Sequence, residues 1–192
     1  MLNIKVYNSN NIAPVVFESV SQLLHESFAE RRNQGINFKC GTFSAADVEH
    51  EFSGKGGYLL VAEEEGELVG TVSLINRRKG KYRYASHDNL AVLSVCKGKG
   101  VASALFAEVL RIAKNDNLDF ITSYTATNAE SSVRYHLKMG FVIWGKAYGK
   151  GYNSYSFIYP IKKFQLLRIA PFRWIVFAVK TGLGIIKKMV KK

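Results

Sequence analysis

The chain has 192 residues, of which 47% are hydrophobic, and its formal net charge is +12. This length and composition predict one globular domain with an appendage. The two cysteines and four histidines show neither a disulfide framework nor metal-ligand spacing, which excludes a disulfide-stapled secreted domain and predicts no metal. The N-terminus lacks the apolar stretch of a signal peptide, so we expect a cytoplasmic protein.

The positive charge is concentrated at the C-terminus. Residues 161–192 contain nine Lys and Arg residues and no acidic residue, whereas all 15 acidic residues lie in the first 160 positions. We therefore divide the chain into a domain at 1–160 and a basic tail at 161–192. Because the domain itself is nearly balanced in charge, we expect no nucleic-acid partner.

The hydrophobic pattern predicts strands and helices in alternation along the domain. Apolar residues at period two indicate strands, and apolar residues at helical spacing indicate helices. We therefore predict an α/β fold in which helices are layered on a mixed sheet. The predicted strands are residues 3–8, 57–63, 68–76, 82–93, 119–127, 141–148 and 152–159, and the predicted helices are residues 15–30, 44–52, 100–115 and 129–139.

A glycine-rich turn separates the predicted strand 82–93 from the predicted helix 100–115. Gly98 and Gly100 have no side chain to hold a ligand away and permit positive φ, and Lys97 and Lys99 add two positive charges. Backbone amides at a helix start bind anions, so the turn predicts a diphosphate site. A plain helix start would give a similar pattern. The turn matches neither the P-loop motif nor GxGxxG.

The stretch around this turn resembles the acetyl-CoA signature of the GCN5-related N-acetyltransferase (GNAT) superfamily, LxVxPxx[QR]xxGxG/A. The matching positions are Leu90, Val92, Lys97, Gly100 and Ala102. Lys replaces the usual Gln or Arg, and Ser94 replaces the usual Pro. A second element, NAESSVRYHLKMGF at 128–141, resembles the superfamily helix that ends in Gly-Phe. The resemblance covers residues 3–160.

The resemblance implies a GNAT-type fold with a mixed, mostly antiparallel central sheet, and acetyl-CoA as the cosubstrate. It implies that the strand ending at Val92 splays from its neighbour and that a backbone N–H there, that of Val92, polarises the thioester carbonyl. It also places Asn128 against the pantetheine, although an N-cap role would equally explain this residue. The implied cofactor-binding residues are Leu90, Ala91, Val92, Lys97, Gly98, Lys99, Gly100, Val101, Ala102, Ser103 and Asn128.

Transfer of an acetyl group from a thioester to an amine needs a base for the amine. Side chains alternate between the faces of a strand, so we expect Asp88 to share a face with Leu90 and Val92. Superfamily members with a base on this strand carry it an even number of residues before the valine, which favours Asp88 over His87. A structural carboxylate is the competing interpretation of Asp88.

Two neighbouring residues are candidates for the acid that protonates the departing thiolate. In the superfamily this acid lies four residues before the Gly of Gly-Phe, which gives His136, whereas counting from Asn128 gives Tyr135. Neighbouring side chains on a helix point about 100° apart, so only one of them faces the sulfur. We favour His136, because Gly-Phe lies in the same helix, and keep Tyr135 as the second candidate.

Two further groups of residues are candidates for the acceptor site. One is aromatic and either stacks on a sugar or an apolar group or packs in the core: Tyr148, Tyr152, Tyr155, Phe157 and Tyr159. The other is basic and either holds an acidic acceptor or phosphate or forms a solvated hairpin: Arg77, Arg78, Lys79, Lys81 and Arg83.

The basic tail has the pattern of an amphipathic helix over residues 172–191. Its apolar residues recur at helical spacing opposite a basic stripe, and no uncharged run is long enough to span a membrane. We expect residues 165–192 to lie on an anionic membrane surface, which would hold the protein peripherally at the inner face of the membrane. The alternative is a C-terminal helix packed on the domain or on the second subunit of a homodimer.

These features predict an acetyl-CoA-dependent N-acetyltransferase. Its acceptor is expected to be a primary amine that attacks the thioester directly, on an amino sugar or another membrane-associated molecule. Two alternatives remain open. One is a soluble small-amine or protein N-terminal acetyltransferase, and the other is a non-catalytic acyl-CoA-binding module.

Overall fold

The computed structural model describes residues 1–8, 12–33, 35–36, 38–53, 56–148 and 153–162. The strands are β1 (Leu2–Asn8), β2 (Gly57–Glu64), β3 (Glu67–Lys79), β4 (Tyr82–Val92), β5 (Phe120–Ala126), β6 (Val142–Tyr148) and β7 (Asn153–Pro160). The α-helices are α1 (Pro14–Asn33), α2 (Ala45–Ser53), α3 (Val101–Asn115) and α4 (Glu130–Lys138). The predicted tail helix at 172–191 lies outside the described residues.

All seven strands form one sheet in the order β1-β2-β3-β4-β5-β7-β6. Neighbouring strands are antiparallel except β4 and β5, which are parallel. This arrangement confirms the predicted mixed, mostly antiparallel sheet. Helices cover both faces of the sheet, as a layered α/β domain requires.

Strand β3 is buried on both faces, from Val69 to Ile75. On one face, Val72 and Leu74 pack with Leu105 and Val109 of α3. On the other face, Ile75 packs with residues of α1 and α2 in a second core cluster. Burying each such aliphatic side chain contributes about 1.5–3 kcal/mol to stability, so the two clusters fix the helices firmly on the sheet.

Gly70 of β3 permits the start of α3 to approach the sheet. A Cβ atom at this position would lie 2.8 Å from Cγ1 of Val101, the first residue of α3, and 3.2 Å from Cδ1 of Leu105. These distances are shorter than van der Waals contact, so a side chain here would force Val101 or the helix that carries it to shift. The glycine therefore sets the height of the α3 N-terminus above the sheet.

Strands β4 and β5 pair over only three positions, the last of which joins Ser86 to Thr122. Strand β4 continues to Val92 and β5 continues to Ala126 beyond this point. The two strands therefore separate, as the family resemblance implies, and the gap between them opens toward the end of β4.

A β-bulge interrupts β4 beside this gap. Ser73 of β3 pairs with Asp88 and Thr71 pairs with Ala91, so β4 has one residue more than its partner over this interval. Asn89 adopts φ of 55° there, which Asn tolerates better than most residues. The bulge shifts the alternation, so that Leu90 packs with the α3-side cluster and Ala91 with the α1 and α2 side.

The bulge overturns one prediction about the faces of β4. His87 packs against Phe106 of α3, so the next residue, Asp88, points to the opposite face. Leu90 and Val92 pack on the α3 side. The expectation that Asp88 shares a face with Leu90 and Val92 is therefore wrong, because strict alternation does not continue through the extra residue.

Candidate functional site

The turn before α3 has the geometry of an anion site. Gly98 and Gly100 adopt φ of 81° and 87°, and Gly100 is the N-cap of α3. The first helical hydrogen bond runs from the amide of Ala104 to the carbonyl of Gly100, so the amides of 101–103 precede it. The first turn of α3 contains no acidic residue. Free amides and the helix dipole therefore favour a negative ligand here.

A cleft of about 440 Å³, which we call the turn cleft, lies along this turn and the end of β4. It is lined by nine of the residues predicted to bind the cofactor: Leu90, Ala91, Val92, Lys97, Gly98, Gly100, Val101, Ala102 and Ser103. Lys99 is exposed and lies outside this lining. Asn128 is also exposed and outside it, and the N-cap of α4 is Ala129.

A second cleft of about 250 Å³ lies on the α1 side of the gap, and we call it the histidine cleft. Its lining includes His87, Asp88 and His136. Both clefts are bordered by Phe28 and Arg31 of α1, by Leu90 of β4 and by Ser132 of α4. The separation of β4 from β5 thus brings the two clefts together at one place.

Tyr135 and His136 lie on different sides of α4. The Tyr135 hydroxyl donates a hydrogen bond to the carbonyl of Ala102 in α3, 3.3 Å away, and Tyr135 lines the turn cleft. His136 is 3% exposed, lines the histidine cleft and stacks on Phe157 with 4.5 Å between ring centroids. The preference for His136 as the acid that faces the sulfur stays a prediction, although α4 turns this side chain toward β5 and β7 and places Tyr135 in the turn cleft.

Burial has opposite effects on these two side chains. It raises the pKa of Tyr135 well above its usual value, so the phenol stays protonated. It lowers the pKa of His136, against a smaller rise caused by the hydrogen bond with the Ser132 backbone. At neutral pH we therefore expect a protonated phenol on one side of α4 and an uncharged imidazole on the other.

The ring of His136 is held at both nitrogens. Nδ1 lies 2.7 Å from the carbonyl oxygen of Ser132, so it carries a proton, and Nε2 lies 2.8 Å from Oγ of Ser123. The Ser123 hydroxyl also lies 3.0 Å from the carbonyl oxygen of His87, to which it donates. The Ser123 hydroxyl has a single proton, which it can donate either to the His87 carbonyl or to an unprotonated Nε2 of His136. When Nε2 carries its own proton, Nε2 donates to Ser123, Ser123 donates to His87, and Nδ1 donates to Ser132, so all three hydrogen bonds form together.

His87 is a poor candidate for a base. It is 2% exposed, and neither ring nitrogen has a hydrogen-bond partner among the described residues. Its ring lies among Phe106, Tyr135 and Phe141. Burial lowers the pKa of His87 to about 3, so the ring is uncharged at neutral pH.

The rest of the histidine cleft combines charges with aromatic rings. Its lining includes two carboxylates, Asp88 and Glu51, and two cations, Arg31 and Lys39. The guanidinium carbon of Arg31 lies 5.2 Å from the ring centroid of Phe28 and 5.5 Å from that of Phe38. Burial raises the pKa of the Cys40 thiol to about 12, which keeps it an un-ionised thiol rather than a nucleophile.

Sequence reasoning missed Ser123 and Thr125 of β5. Thr125 donates to the hydroxyl of Ser132, 3.0 Å away, and so joins β5 to α4 beside His136. Two small hydroxyl residues at alternating positions, next to the strand predicted to splay, were the available signal. Among the predicted aromatic residues, Phe157 is buried in the core, which favours the core interpretation for it. Tyr152 lies outside the described residues.

Two observations concern metals and membranes in the part of the chain that the structure describes. No group of three or more His, Cys, Asp or Glu residues is placed to hold a metal ion there. Within the same residues, no helix has the length and hydropathy needed to cross a bilayer.

Residues 17–141 match the model of the Acetyltransferase (GNAT) family. This chain belongs to that family. The matched range of this GNAT domain contains β4, α3, β5 and α4, which are the elements that border the two clefts.

Several known proteins are similar to this GNAT domain. N-acetyltransferase 8 of Rattus norvegicus is 28% identical over 114 residues, which are 57% of this chain and 51% of that protein. N-acetyltransferase 8B of the same species is 30% identical over 106 residues, 54% of this chain and 48% of that protein. The chain therefore spans about half the length of these curated relatives.

Solved structures share the fold at low identity. The ribosomal-protein-S18-alanine N-acetyltransferase of Escherichia coli matches with a TM-score of 0.66 and 11% identity over 84% of this chain and 94% of that chain. The yncA protein of Salmonella typhimurium, solved with its cofactor acetyl-CoA, matches with a TM-score of 0.64 and 14% identity over 84% and 95%. At such identities the likeness shows the fold alone.

Proposed function

We propose that this chain is an acetyl-CoA-dependent N-acetyltransferase that moves an acetyl group to a primary amine. The observation that carries the proposal is the meeting of the two clefts between β4 and β5, at Leu90 and Ser132. One cleft offers free amides to an anion, and the other holds a carboxylate and a histidine. A thioester in the first cleft is thereby within reach of an amine in the second.

The turn cleft suits acetyl-CoA in its charge and backbone. The amides of 101–103 and the Lys97 side chain would bind the diphosphate, with Gly98 and Gly100 permitting close approach. Beyond Ser86, β4 has no pairing with β5, so its free edge at Leu90 to Val92 is available to the pantetheine. In this proposal the Val92 amide polarises the thioester carbonyl, while Lys99 and Asn128 stay predicted contacts at the margin of the site.

Asp88 is the proposed base, acting directly or through a water molecule. It points into the histidine cleft, on the side of the gap where an amine would lie. Nε2 of His136 is a second proton acceptor in the same cleft, because its contacts are completed by one further proton. We propose His136 as a proton relay there.

Tyr135 is the proposed acid for the thiolate. Its hydroxyl contacts Ala102 of α3, on the side of α4 that lines the turn cleft. Its raised pKa keeps the phenol protonated at neutral pH, so its hydroxyl can donate a hydrogen bond to the departing thiolate and supply its proton. The roles of Tyr135 and His136 are thus divided between the two clefts.

Acetyl transfer to a panel of amines tests this assignment. We expect Asp88→Asn to lower kcat about 100-fold or more, the contribution typical of general base catalysis, while acetyl-CoA still raises the melting temperature. Glu67→Gln, at the exposed start of β3, is the matched control and should keep full activity. Binding of acetyl-CoA by the parent protein without transfer to any amine would instead favour the acyl-CoA-binding module.

We further propose that the acceptor is membrane-associated, such as an amino sugar on a lipid carrier, and that residues 165–192 hold the enzyme peripherally at the inner face of the membrane. The support is the sequence of that segment, which lies outside the described residues. Flotation with anionic liposomes tests it, since deletion of 165–192 should weaken binding, and unchanged binding would contradict it. The small volume of the histidine cleft, about 250 Å³, favours a soluble small amine as the second candidate.

A further inference from the structure

Strands β3 and β4 extend beyond the sheet as a basic hairpin, defined here as residues 76–83. All of these residues are exposed. The hairpin contains no acidic residue and five basic ones: Arg77, Arg78, Lys79, Lys81 and Arg83. Arg78 lies directly opposite Arg83 in the strand pairing. Like charges placed opposite each other destabilise a hairpin, so this charge has a cost to the fold and suggests an anionic partner.

The last described residues, Ile161 and Lys162, lie at the base of this basic hairpin. Asp119 makes the connection: one carboxylate oxygen accepts from the Arg83 amide at 2.8 Å, and the other lies 3.0 Å from Nζ of Lys162. The Asp119 backbone adds a bond to the Arg83 carbonyl at 2.7 Å and accepts from the amide of Ile161 at 3.1 Å. Asp119 is buried, so this junction is firmly held.

The described part of the chain therefore ends beside the basic hairpin. The carboxylate of Asp119, at the hairpin base, contacts Lys162. The basic hairpin itself places five positive charges on exposed residues at this end of the domain. This charge is suited to an external anionic surface.

Aromatic side chains accompany the charge on one face. Tyr82 and Tyr84 both lie beside Phe120 of β5, with ring centroids 6.1 Å and 4.9 Å away. Lys79 pairs with Tyr82, and paired residues share a face of the sheet. Alternation along β4 from Tyr82 and Tyr84 leads on this face to Asp88 in the histidine cleft. Tyrosine beside Lys and Arg is typical of surfaces at a lipid–water boundary.

We propose that the basic hairpin is a docking surface for an anionic lipid bilayer. Lipid fits better than nucleic acid because the exposed Tyr82 lies among the basic side chains, as aromatic residues do at a lipid–water boundary. Docking through this end turns the sheet face that leads to Asp88 toward the bilayer. That consequence, an acceptor amine presented from the membrane, rests on the proposed acetyltransferase function, whereas the docking itself does not.

The test uses the full-length chain and vesicles of phosphatidylcholine, with or without phosphatidylserine. The hairpin variant Arg78→Gln/Lys81→Gln should bind the anionic vesicles about 10- to 30-fold more weakly than the parent, since each Lys or Arg near such a surface contributes about 1 kcal/mol. The control Lys5→Gln/Lys146→Gln removes two charges from β1 and β6, the edge strands, and should bind like the parent. Added salt should weaken binding of the parent.

Equal binding of hairpin variant, control and parent to anionic vesicles would overturn the proposal. So would a preference of the basic hairpin for a short DNA duplex, seen as loss of DNA binding without loss of vesicle binding in the hairpin variant. Circular dichroism verifies that both variants fold. Acetyl transfer to a soluble amine without vesicles is measured in parallel, because absence of turnover in the parent refutes the proposed function and leaves the lipid result intact.

Discussion

The hydroxyl oxygen of Ser123 lies 2.8 Å from Nε2 of His136, where it also reaches the carbonyl of His87 on β4. Strands β4 and β5 stop pairing just before this point, and the Ser123 side chain makes the next hydrogen bond between them. The same hydroxyl therefore holds the edge of the gap and the histidine of the second cleft. The protonation of His136 is coupled through it to the geometry of the gap.

Replacement of Ser123 by alanine should lower the pKa of His136 further. The imidazolium would lose the acceptor of its Nε2 proton, while the burial that already lowers the pKa stays. The variant Ser123→Thr keeps the hydroxyl, so the pKa of His136 should stay as it is in the parent protein. Proton NMR titration of the imidazole measures the effect. A higher pKa in Ser123→Ala would show instead that the hydroxyl acts mainly as a donor to the neutral ring.

The burial of His87 predicts acid-induced loss of stability. Its pKa is about 3 in the folded protein and about 6.5 in the unfolded chain, so the unfolded chain binds more protons below pH 6.5. The stability present above pH 6.5 is lost as the pH falls toward 3. Between pH 6.5 and 5 the free energy of unfolding should decrease by about 2 kcal/mol from this residue. Urea unfolding at several pH values measures the decrease.

His87→Leu should remove most of that pH dependence and raise stability at pH 5. Leucine fits an environment of aromatic rings, and it leaves no buried nitrogen without a partner. The control is His50→Gln on the exposed side of α2, which should keep the pH dependence of the parent. An unchanged pH dependence in His87→Leu would mean that other groups cause the acid sensitivity.

Tyr135→Phe should lower kcat about 100-fold, the contribution of an acid at this step, with a much smaller change in KM for acetyl-CoA. The loss of the 3.3 Å hydrogen bond to Ala102 is a minor structural change, because this is one neutral contact. Steady-state kinetics with a saturating amine separates the two parameters. Full activity of the variant would show that a group other than Tyr135 protonates the thiolate.

Gly100→Ala should weaken acetyl-CoA binding. The residue has φ of 87°, which costs an alanine about 1–2 kcal/mol, and relief of this strain would move the amides of 101–103. Gly66→Ala is a close control, because Gly66 has φ of 88° in the β2–β3 turn, and in both cases no atom lies within 4 Å of the added Cβ. Calorimetry should show weaker binding for Gly100→Ala only, with similar stability losses in both variants.

Local sequence patterns were sufficient for most elements and for the glycine turn. The strand predicted at 68–76 extends to Lys79 because its basic residues pair with β4 outside the core, where hydrophobic alternation gives no signal. The bulge at Asn89 was not predictable for a related reason: it depends on pairing with β3, which is not local. It decides the faces of Asp88 and Leu90.

The sides taken by Tyr135 and His136 also depended on tertiary structure. Counting from either end of α4 gave different answers, and the outcome rests on how the helix packs on β5 and β7. His136 is placed by Ser123 and by stacking on Phe157, both far from it in sequence. Contacts of this kind carry no periodic pattern. Small polar residues beside a splayed strand are the signal to search for.

Gly70 has a consequence for the energetics of ligand binding. The close approach of Val101 to the β3 backbone means that the sheet, rather than the loop, sets the direction of the first α3 amides. A ligand then meets donors that are already oriented, and little conformational entropy is lost when they engage it. The turn is in this sense preorganised by an absent side chain on a neighbouring strand. In the proposed function, its affinity for a diphosphate would then depend on a residue that the ligand never touches.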